Sequence, residues 1–524
     1  MRNKPLLWLI IITTIIRCIA SSLVETGNDE AYYFIYALDP QWNYFDHPPF
    51  VAWIIRLFTA NLYWVNDFSM RLGAIVCAAI ATLLIYQTGV SIGNKRTGFI
   101  AAVLYNTSIY NGIIAGLFIL PDSPAVVFWL ASIYTMIRSV ITDEKNPGNK
   151  NLIFFGLFSG LAILSKVHGV FLWLGFLIFL LMYRRDFFGR YQLYISLAMT
   201  AVVISPILIW NVNHEFINWS FHSERVEVRA FNLNWSTLFT MISGQFFYNN
   251  PMNVILIVLA LISMRRSAIR PGKQIGSLLL CLGLPLIFVA TTISVFRETL
   301  PHWSGPGFIA LIILASYGID RLINTGRMRF WRRALLISGS FFLFVLVAGI
   351  TAVNFFPGTM GEKKPEERVG SGDPTLDMYG WKEIVPVVNS IRSSDVERDT
   401  TMLNAPLVIN KWFPGGHLCY YLTYPSGMRI VGIGDLNEIH QFAFLNTKQG
   451  FLERGENAYY ISISNYYYDP HLLYAEKFEK IELIKTIPQY RNGKISRNFF
   501  IYRLINSKEE QGNYFGNKNN ESDN

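Results

Sequence analysis

Long stretches without a single charge constrain this chain more than any other feature. Residues 9–16, 75–85 and 341–350 are uncharged and show no strict helical periodicity. A bilayer core takes about 20 apolar residues per helix, and only helices or closed barrels satisfy their backbone polar groups there. Blocks of this length are too long for barrel strands, so the chain is predicted to be helical in a membrane. Composition agrees: 52% of the 524 residues are hydrophobic and only 15% charged, against about 25% charged in soluble domains.

The four cysteines add little. Cys18, Cys77 and Cys281 lie within apolar blocks and Cys419 stands alone, so neither a metal spacing nor a disulfide framework emerges. Arg2 and Lys4 ahead of the first apolar stretch look like the start of a signal peptide. No small-residue cleavage site ends that stretch, and it is read as a retained first span.

Eleven spans are expected, at 6–24, 69–91, 97–118, 124–142, 151–165, 168–183, 191–212, 248–264, 275–295, 304–320 and 333–355. The fifth and sixth are short enough to form a tight or partly re-entrant pair. One set of connections holds nineteen Lys and Arg, among them Lys95, Arg96, Arg184, Arg185, Arg190, Arg265, Arg266 and Arg332. The other set, apart from the C-terminal region, holds six: Arg56, Arg71, Lys166, Arg225, Arg229 and Arg297. Arg17 falls inside the first span. This positive-inside bias places the N-terminus in the cytoplasm and everything after residue 355 on the far side of the membrane. The basic residues are divided among many loops, which argues against a nucleic-acid partner.

The expected organisation is an all-α polytopic membrane bundle over residues 1–355, with long outer loops at 25–68 and 213–247. A small soluble α/β domain follows at 356–506, where stretches such as 458–464 and 499–504 alternate like strands. Residues 507–524, rich in Asn, Glu and Gly, read as a disordered tail.

Polar chemistry collects on the outer side. Asn28-Asp29-Glu30-Ala31-Tyr32-Tyr33 follows the first span, and its adjacent carboxylates suit a general base and an acceptor-orienting group. The plainer reading is a polar helix end. Tyr44-Phe45-Asp46-His47-Pro48-Pro49 uses two prolines to hold an Asp–His pair in non-helical backbone; the plainer reading is a turn that starts an interfacial helix. Leu120-Pro121-Asp122-Ser123-Pro124 places Asp122 where it caps a helix, whatever else it does. Outer cations are scattered: Lys166 with His168, Arg225 with His222, Arg297 with His302. Charges near lipid usually face a polar cavity, and such cations suit a phosphate; snorkelling to headgroups is the alternative.

At these motifs the sequence resembles glycosyltransferase family 39 and its neighbours: protein O-mannosyltransferases, lipid A aminoarabinose transferases and lipopolysaccharide-core transferases. The resemblance covers roughly residues 5–320, through Asp29-Glu30, YFDHPP at 44–49, LPDSP at 120–124, GLAILSK at 160–166, SPILIWN at 205–211 and HWSGPG at 302–307. DPTLDMYGW at 373–381 resembles the start of the outer domain in bacterial members.

The resemblance implies the C-type glycosyltransferase fold and transfer of a sugar, with inversion, from a polyprenyl-phosphate donor in the membrane. The acceptor would be a glycan, lipid A or a protein. Asp29 then matches the catalytic carboxylate, with Glu30 orienting the acceptor and Asp46 and His47 shaping the site or contacting the sugar. Lys166, Arg225 and Arg297 are candidates for the carrier phosphate, and Asp122, His168 and His302 join the substrate-binding set. No cofactor is expected to be obligatory. A divalent cation is allowed but not required, and it would need Asp29, Asp46, His47 and Asp122 to converge.

Two rivals stand beside this reading. A transporter or flippase for a lipid-linked sugar would favour repeated halves and ionisable groups near the midplane; no repeat is visible, and most ionisable residues lie in outer loops or cytoplasmic turns. A non-enzymatic receptor would leave the Asp29-Glu30 and YFDHPP segments without a purpose.

Overall fold

The computed structural model describes all residues except 1–3, 144–149, 228–232, 267–270, 324–327, 513 and 515–524. It divides into two compact units. One comprises residues 1–21 and 47–347; the other comprises residues 22–46 and 348–524.

The first unit is a helical bundle. Its elements include α1 (Lys4–Leu23, which runs on into the second unit), followed after α2 (Asn28–Leu38, wholly in the second unit) by α3 (Phe50–Phe58), α4 (Asp67–Ile92) and α5 (Lys95–Thr107). There follow α6 (Asp122–Asp143), α7 (Asn151–Ser165), α8 (Val170–Tyr183), α9 (Tyr191–Asn213), α10 (Ile217–Val226), α11 (Trp235–Tyr248), α12 (Pro251–Arg266), α13 (Gly272–Ser294), α14 (Gly305–Leu322) and α15 (Met328–Phe355). Seven helices among the described residues are long and apolar enough to cross a membrane, or eight if a bent pair counts as one span.

That count is lower than the eleven expected, for identifiable local reasons. Ser108 is extended and ends α5, and the chain resumes only as a short π-helical turn, Tyr110–Ile114. Lys166 is extended at φ −153° and separates α7 from α8, of 15 and 14 residues. At 1.5 Å per residue each is shorter than the roughly 30 Å hydrocarbon core. The expected loop 213–247 contains α10 and α11, and α11 meets α12 at a bend of 89°. Asn250, at φ 65°, occupies the break, a backbone region that Asn tolerates better than most residues. Its side chain donates to Thr107 O at 2.8 Å and Ser338 O at 3.0 Å, tying the bend to two other helices.

Close helix approach and buried polar ties hold the bundle. A Cβ on Gly89 would stand 2.7 Å from the Cα of Gly98, so α4 and α5 touch backbone to backbone, as small residues permit within a membrane. Asn94 caps α5 through Arg96 N and Thr97 N at 2.8 and 3.2 Å. Its amide also donates to Asp320 of α14 at 2.6 Å, where Thr97 Oγ1 and Arg96 converge. Arg17 is likewise internal: it is 4% exposed and donates to Asn106 Oδ1 at 3.0 Å and Gly112 O at 3.2 Å. Arg71, counted with the outer connections by the sequence reading although it lies within the expected span 69–91, is fully buried in α4 and donates to Ser21 O at 3.0 Å.

The second unit has a five-stranded sheet in the order β2-β1-β3-β5-β4, formed by β1 (Leu407–Ile409), β2 (Ile430–Gly432), β3 (Ala458–Ile463), β4 (Phe478–Arg491) and β5 (Lys494–Ser507). β2, β1 and β3 are parallel; β5 and β4 run antiparallel. Asn492 and Gly493, at φ 47° and 77°, join β4 to β5. Two positive φ values make the tight hairpin turn whose twist matches its strands, which is why Asn-Gly suits it. The helix α16 (Val385–Arg398) is tied to the sheet by Asp395, which accepts from Tyr459 Oη at 2.8 Å and Arg503 Nε at 2.7 Å.

Residues 22–46 belong to this sheet unit and contain α2; the sequence reading put residues 25–46 in an outer loop of the bundle domain, a loop suited to short helices. The segment from Ser507 to Gly512, expected within the disordered tail, is partly engaged: Gln511 N donates to Leu452 O at 2.9 Å. The rest of that expectation lies largely outside the described residues.

Candidate functional site

The sequence-predicted residues gather into two groups, one in each unit. In the bundle the centre is Asp122, at the start of α6, and Lys166, in the extended break between α7 and α8. Lys166 Nζ donates to both carboxylate oxygens of Asp122, at 2.8 and 2.7 Å, and Tyr110 Oη donates to the same group at 2.7 Å. Asp122 and Lys166 are 3% and 5% exposed. A buried pair survives only with good geometry and further hydrogen bonds, and Tyr110 supplies one.

His168 lies within electrostatic range of His47, of His302 and of this pair, and His302 lies within range of the pair as well. His168 packs edge-on against Trp303 at 5.8 Å, and His47 lies 6.1 Å from His222. Thus His47, Asp122, Lys166, His168 and His302, drawn from four separate motifs, share one neighbourhood. Arg297 does not join it by any bond described: it donates to the backbone carbonyls of Glu224 and Glu227, the latter at 3.1 Å. The Arg225 side chain lies outside the described residues. Tyr110 was absent from the predicted set. Its only signal in the sequence is a tyrosine inside an apolar span, where an unsatisfied hydroxyl is costly.

In the second unit α2 carries the acidic pair. Glu30 is 2% exposed and its Oε2 accepts from Gly27 N at 2.9 Å, the reach-back contact of a helix N-terminus. Asp29, on the same first turn, is exposed, and the helix dipole favours its charge there. Asn28 Nδ2 donates to Asp377 Oδ2 at 2.9 Å, and Glu25 Oε2 accepts from Trp381 N at 2.6 Å. The approach to α2 is therefore pinned by the DPTLDMYGW segment. That segment is itself fixed by the hairpin: Arg491 pairs with Asp373 at 2.9 Å, both fully buried, and Arg497 donates to Leu376 O at 3.0 Å and Tyr379 O at 2.6 Å.

Burial raises Asp377 to about 6; the Asn28 hydrogen bond and Arg497 oppose that shift, while the charges of Asp373 and Asp29 add to it. A carboxyl group of unusual basicity thus sits within electrostatic reach of Asp29. Sequence reasoning placed Asp377 in a motif without giving it a role. His417, fully buried and stacked on Trp381 at 4.2 Å, is lowered to about 3, chiefly by burial. Its Nε2 meets Thr26 O at 3.0 Å, just before α2. Asp46 is also internal: it accepts from Tyr32 Oη at 3.1 Å and from Tyr36 Oη.

Two of the four residues named for a divalent cation have other bonds to make. Asp122 serves Lys166 and Tyr110, and Asp46 serves two tyrosines. Among the described residues no group of three or more His, Cys, Asp or Glu is arranged to hold a metal ion.

Comparison with known proteins bears out the resemblance to glycosyltransferase family 39. The family model described as dolichyl-phosphate-mannose-protein mannosyltransferase matches residues 46–210. The lipid A galacturonosyltransferase RgtD of Rhizobium johnstonii is 22% identical over 292 residues, which are 55% of this chain and 59% of that protein. The match therefore spans less than two thirds of that relative. Among solved structures, ArnT from Cupriavidus metallidurans in the apo state superposes with a TM-score of 0.59 at 14% identity, covering 94% of this chain and 97% of that one. Its form bound to undecaprenyl phosphate gives the same score and covers 96% and 98%. The chain has the same C-type glycosyltransferase fold: a multi-pass helical bundle with a small sheet-containing unit.

Proposed function

We propose that this glycosyltransferase family 39-like membrane protein moves a sugar from a polyprenyl-phosphate carrier onto an acceptor outside the cytoplasm. The observation that carries the reading is the likeness, over nearly the whole of both chains, to a fold whose solved form holds undecaprenyl phosphate. A lipid-borne donor also accounts for a site built on a membrane bundle without any glycine-rich nucleotide-binding loop. The lipid A activity of RgtD makes lipid A the first acceptor to try. The distribution of Lys and Arg supports a cytoplasmic N-terminus, and the motifs that resemble bacterial members support a cytoplasmic (inner) membrane location.

In this mechanism Asp29 takes the proton of the acceptor hydroxyl as that oxygen attacks the anomeric carbon, and the carrier leaves as its phosphate, with inversion. Glu30 supports the base by holding the turn that presents it. Asp46 shapes the same segment through its tyrosines. Lys166, Arg225 and Arg297 are the cations proposed for the phosphate, with His47, His168 and His302 lining the approach. Two of the three N–H donors of Lys166 serve Asp122, which would orient the ammonium rather than leave it to rotate.

The test is an assay of the purified protein in detergent or nanodiscs, with lipid A and a panel of polyprenyl-phosphate sugars, and identification of the product by mass spectrometry. Transfer from one of these donors is expected, and no obligatory metal: activity should persist with a chelator present. Absence of transfer from every donor to lipid A, glycan and protein acceptors alike would overturn the reading.

A further inference from the structure

The α/β unit contains a cavity of about 650 Å³ that no step above uses, a size typical of small-molecule sites. Asn410 and Lys411 in its lining directly follow the carboxyl end of β1, and Gly434 and Asp435 lie just past that of β2. β1 is flanked by β2 on one side and β3 on the other, all parallel. Open α/β sheets bind ligands outside the carboxyl ends of strands where the strand order changes direction. The chain after β5 crosses these strand ends. Gln511 Nε2 donates to Gly432 O at 2.7 Å, and Tyr514 Oη donates to Gly434 O at 2.8 Å.

Two polar atoms of the lining are unsatisfied. Tyr474 is 1% exposed, and its hydroxyl has no hydrogen-bond partner among the described residues; the same holds for Gln511 Oε1. Buried polar groups in native proteins are nearly all paired, so an orphan hydroxyl and an orphan amide oxygen on two lining residues leave hydrogen bonds for a ligand to complete.

Charge narrows the class. The lining holds four carboxylates, of Asp435, Glu438, Glu509 and Glu510, against the two ammonium groups of Lys411 and Lys477. Lys411 is already committed to Glu438 at 2.6 Å and to Tyr468 Oη at 3.0 Å. The remaining field repels anions and welcomes hydroxyl or ammonium donors. The rings of Tyr468 and Tyr514 add apolar surface with polar tips, the combination that packs against the C–H face of a sugar ring.

We infer that this cavity binds a neutral or amino-bearing sugar unit of a glycan. The inference rests on the glycosyl-transfer reading above only for the origin of that sugar, as part of an acceptor; the chemistry of the cavity stands without it.

The experiment titrates the full-length protein in detergent, with no donor present, using disaccharides of glucose, of glucosamine and of galacturonic acid, and reads binding by calorimetry or saturation-transfer NMR. Saturable binding of the glucose or glucosamine disaccharide is expected, with the galacturonic acid disaccharide at least about tenfold weaker. Tyr474→Phe, which keeps the ring and its packing, should weaken binding about five- to tenfold, the effect of one lost hydrogen bond. No saturable binding of either disaccharide, equal binding of the anionic one, or an unchanged Kd in Tyr474→Phe would each overturn the proposal. Because no donor is present, failure here leaves the transfer assay untouched, and failure of transfer leaves this titration untouched.

Discussion

Lys166 Nζ is held by both carboxylate oxygens of Asp122, at 2.8 and 2.7 Å, across 44 positions of sequence, in a setting where both side chains are almost fully buried. Removing one partner leaves the other as an uncompensated buried charge, a loss of roughly 3–5 kcal/mol. Asp122→Ala and Lys166→Met should each lower the Tm of the detergent-solubilised protein markedly, while the double variant should recover much of the loss. A double-mutant cycle measured by thermal unfolding checks this; additive single losses would show that the contact contributes nothing as a pair.

Asp29 contrasts with that pair because it is exposed on the first turn of α2. Asp29→Asn should leave membrane insertion and Tm nearly unchanged while transfer falls by about 10²–10⁴-fold, the usual contribution of a general base. The comparison is of initial rates at matched protein levels. Retained full activity would refute the base assignment.

Glu30 should behave differently from its neighbour. Its Oε2 accepts from Gly27 N, so Glu30→Gln, which keeps an acceptor oxygen, should preserve most activity, whereas Glu30→Ala should lose it together with roughly 1 kcal/mol of stability. Equal loss in both variants, with Tm unchanged, would instead point to a direct chemical role for the charge.

Asp377 is raised to about 6 by burial, against an unfolded carboxyl near 3.8. The native state therefore binds the extra proton between about pH 4 and pH 6, and the stability that Asp377 contributes declines as pH rises through that window. Asp377→Asn removes the penalty, so the Tm difference between variant and parent should grow from about pH 4 to about pH 6 and then level off. A difference independent of pH would show that Asp377 titrates normally.

His417 works in the opposite sense. Burial lowers it to about 3 from 6.5, so the unfolded chain binds the proton first and stability is lost as pH falls from about 6.5 toward 3. His417→Phe, which keeps an aromatic ring for the stack on Trp381, should show a smaller drop in Tm between about pH 7 and about pH 4 than the parent does. An identical drop in both would place the acid sensitivity elsewhere.

Much of this architecture was legible without coordinates. Hydropathy is a local property: an uncharged block seeks lipid whatever its neighbours are, so residues 75–85 or 341–350 announce helices on their own. The same holds for Asn-Gly in the β4–β5 turn, where two adjacent residues carry the whole signal. The motifs also named His47, Asp122, Lys166, His168 and His302, and the fold brings these five into one neighbourhood.

What only tertiary structure decided is who pairs with whom. Nothing in local spacing says that Lys166 is neutralised by Asp122, which Tyr110 also supports, or that Arg17 in an apolar span is met by Asn106. Nor does it say that residues 22–46 pack with the sheet unit, where Asn28 reaches Asp377 and Asp46 receives two tyrosine hydroxyls. Such contacts arise from the approach of elements far apart in the chain, and a buried charge or hydroxyl takes whichever partner that approach delivers. The amino-acid order sets which groups must be satisfied; packing decides which groups satisfy them.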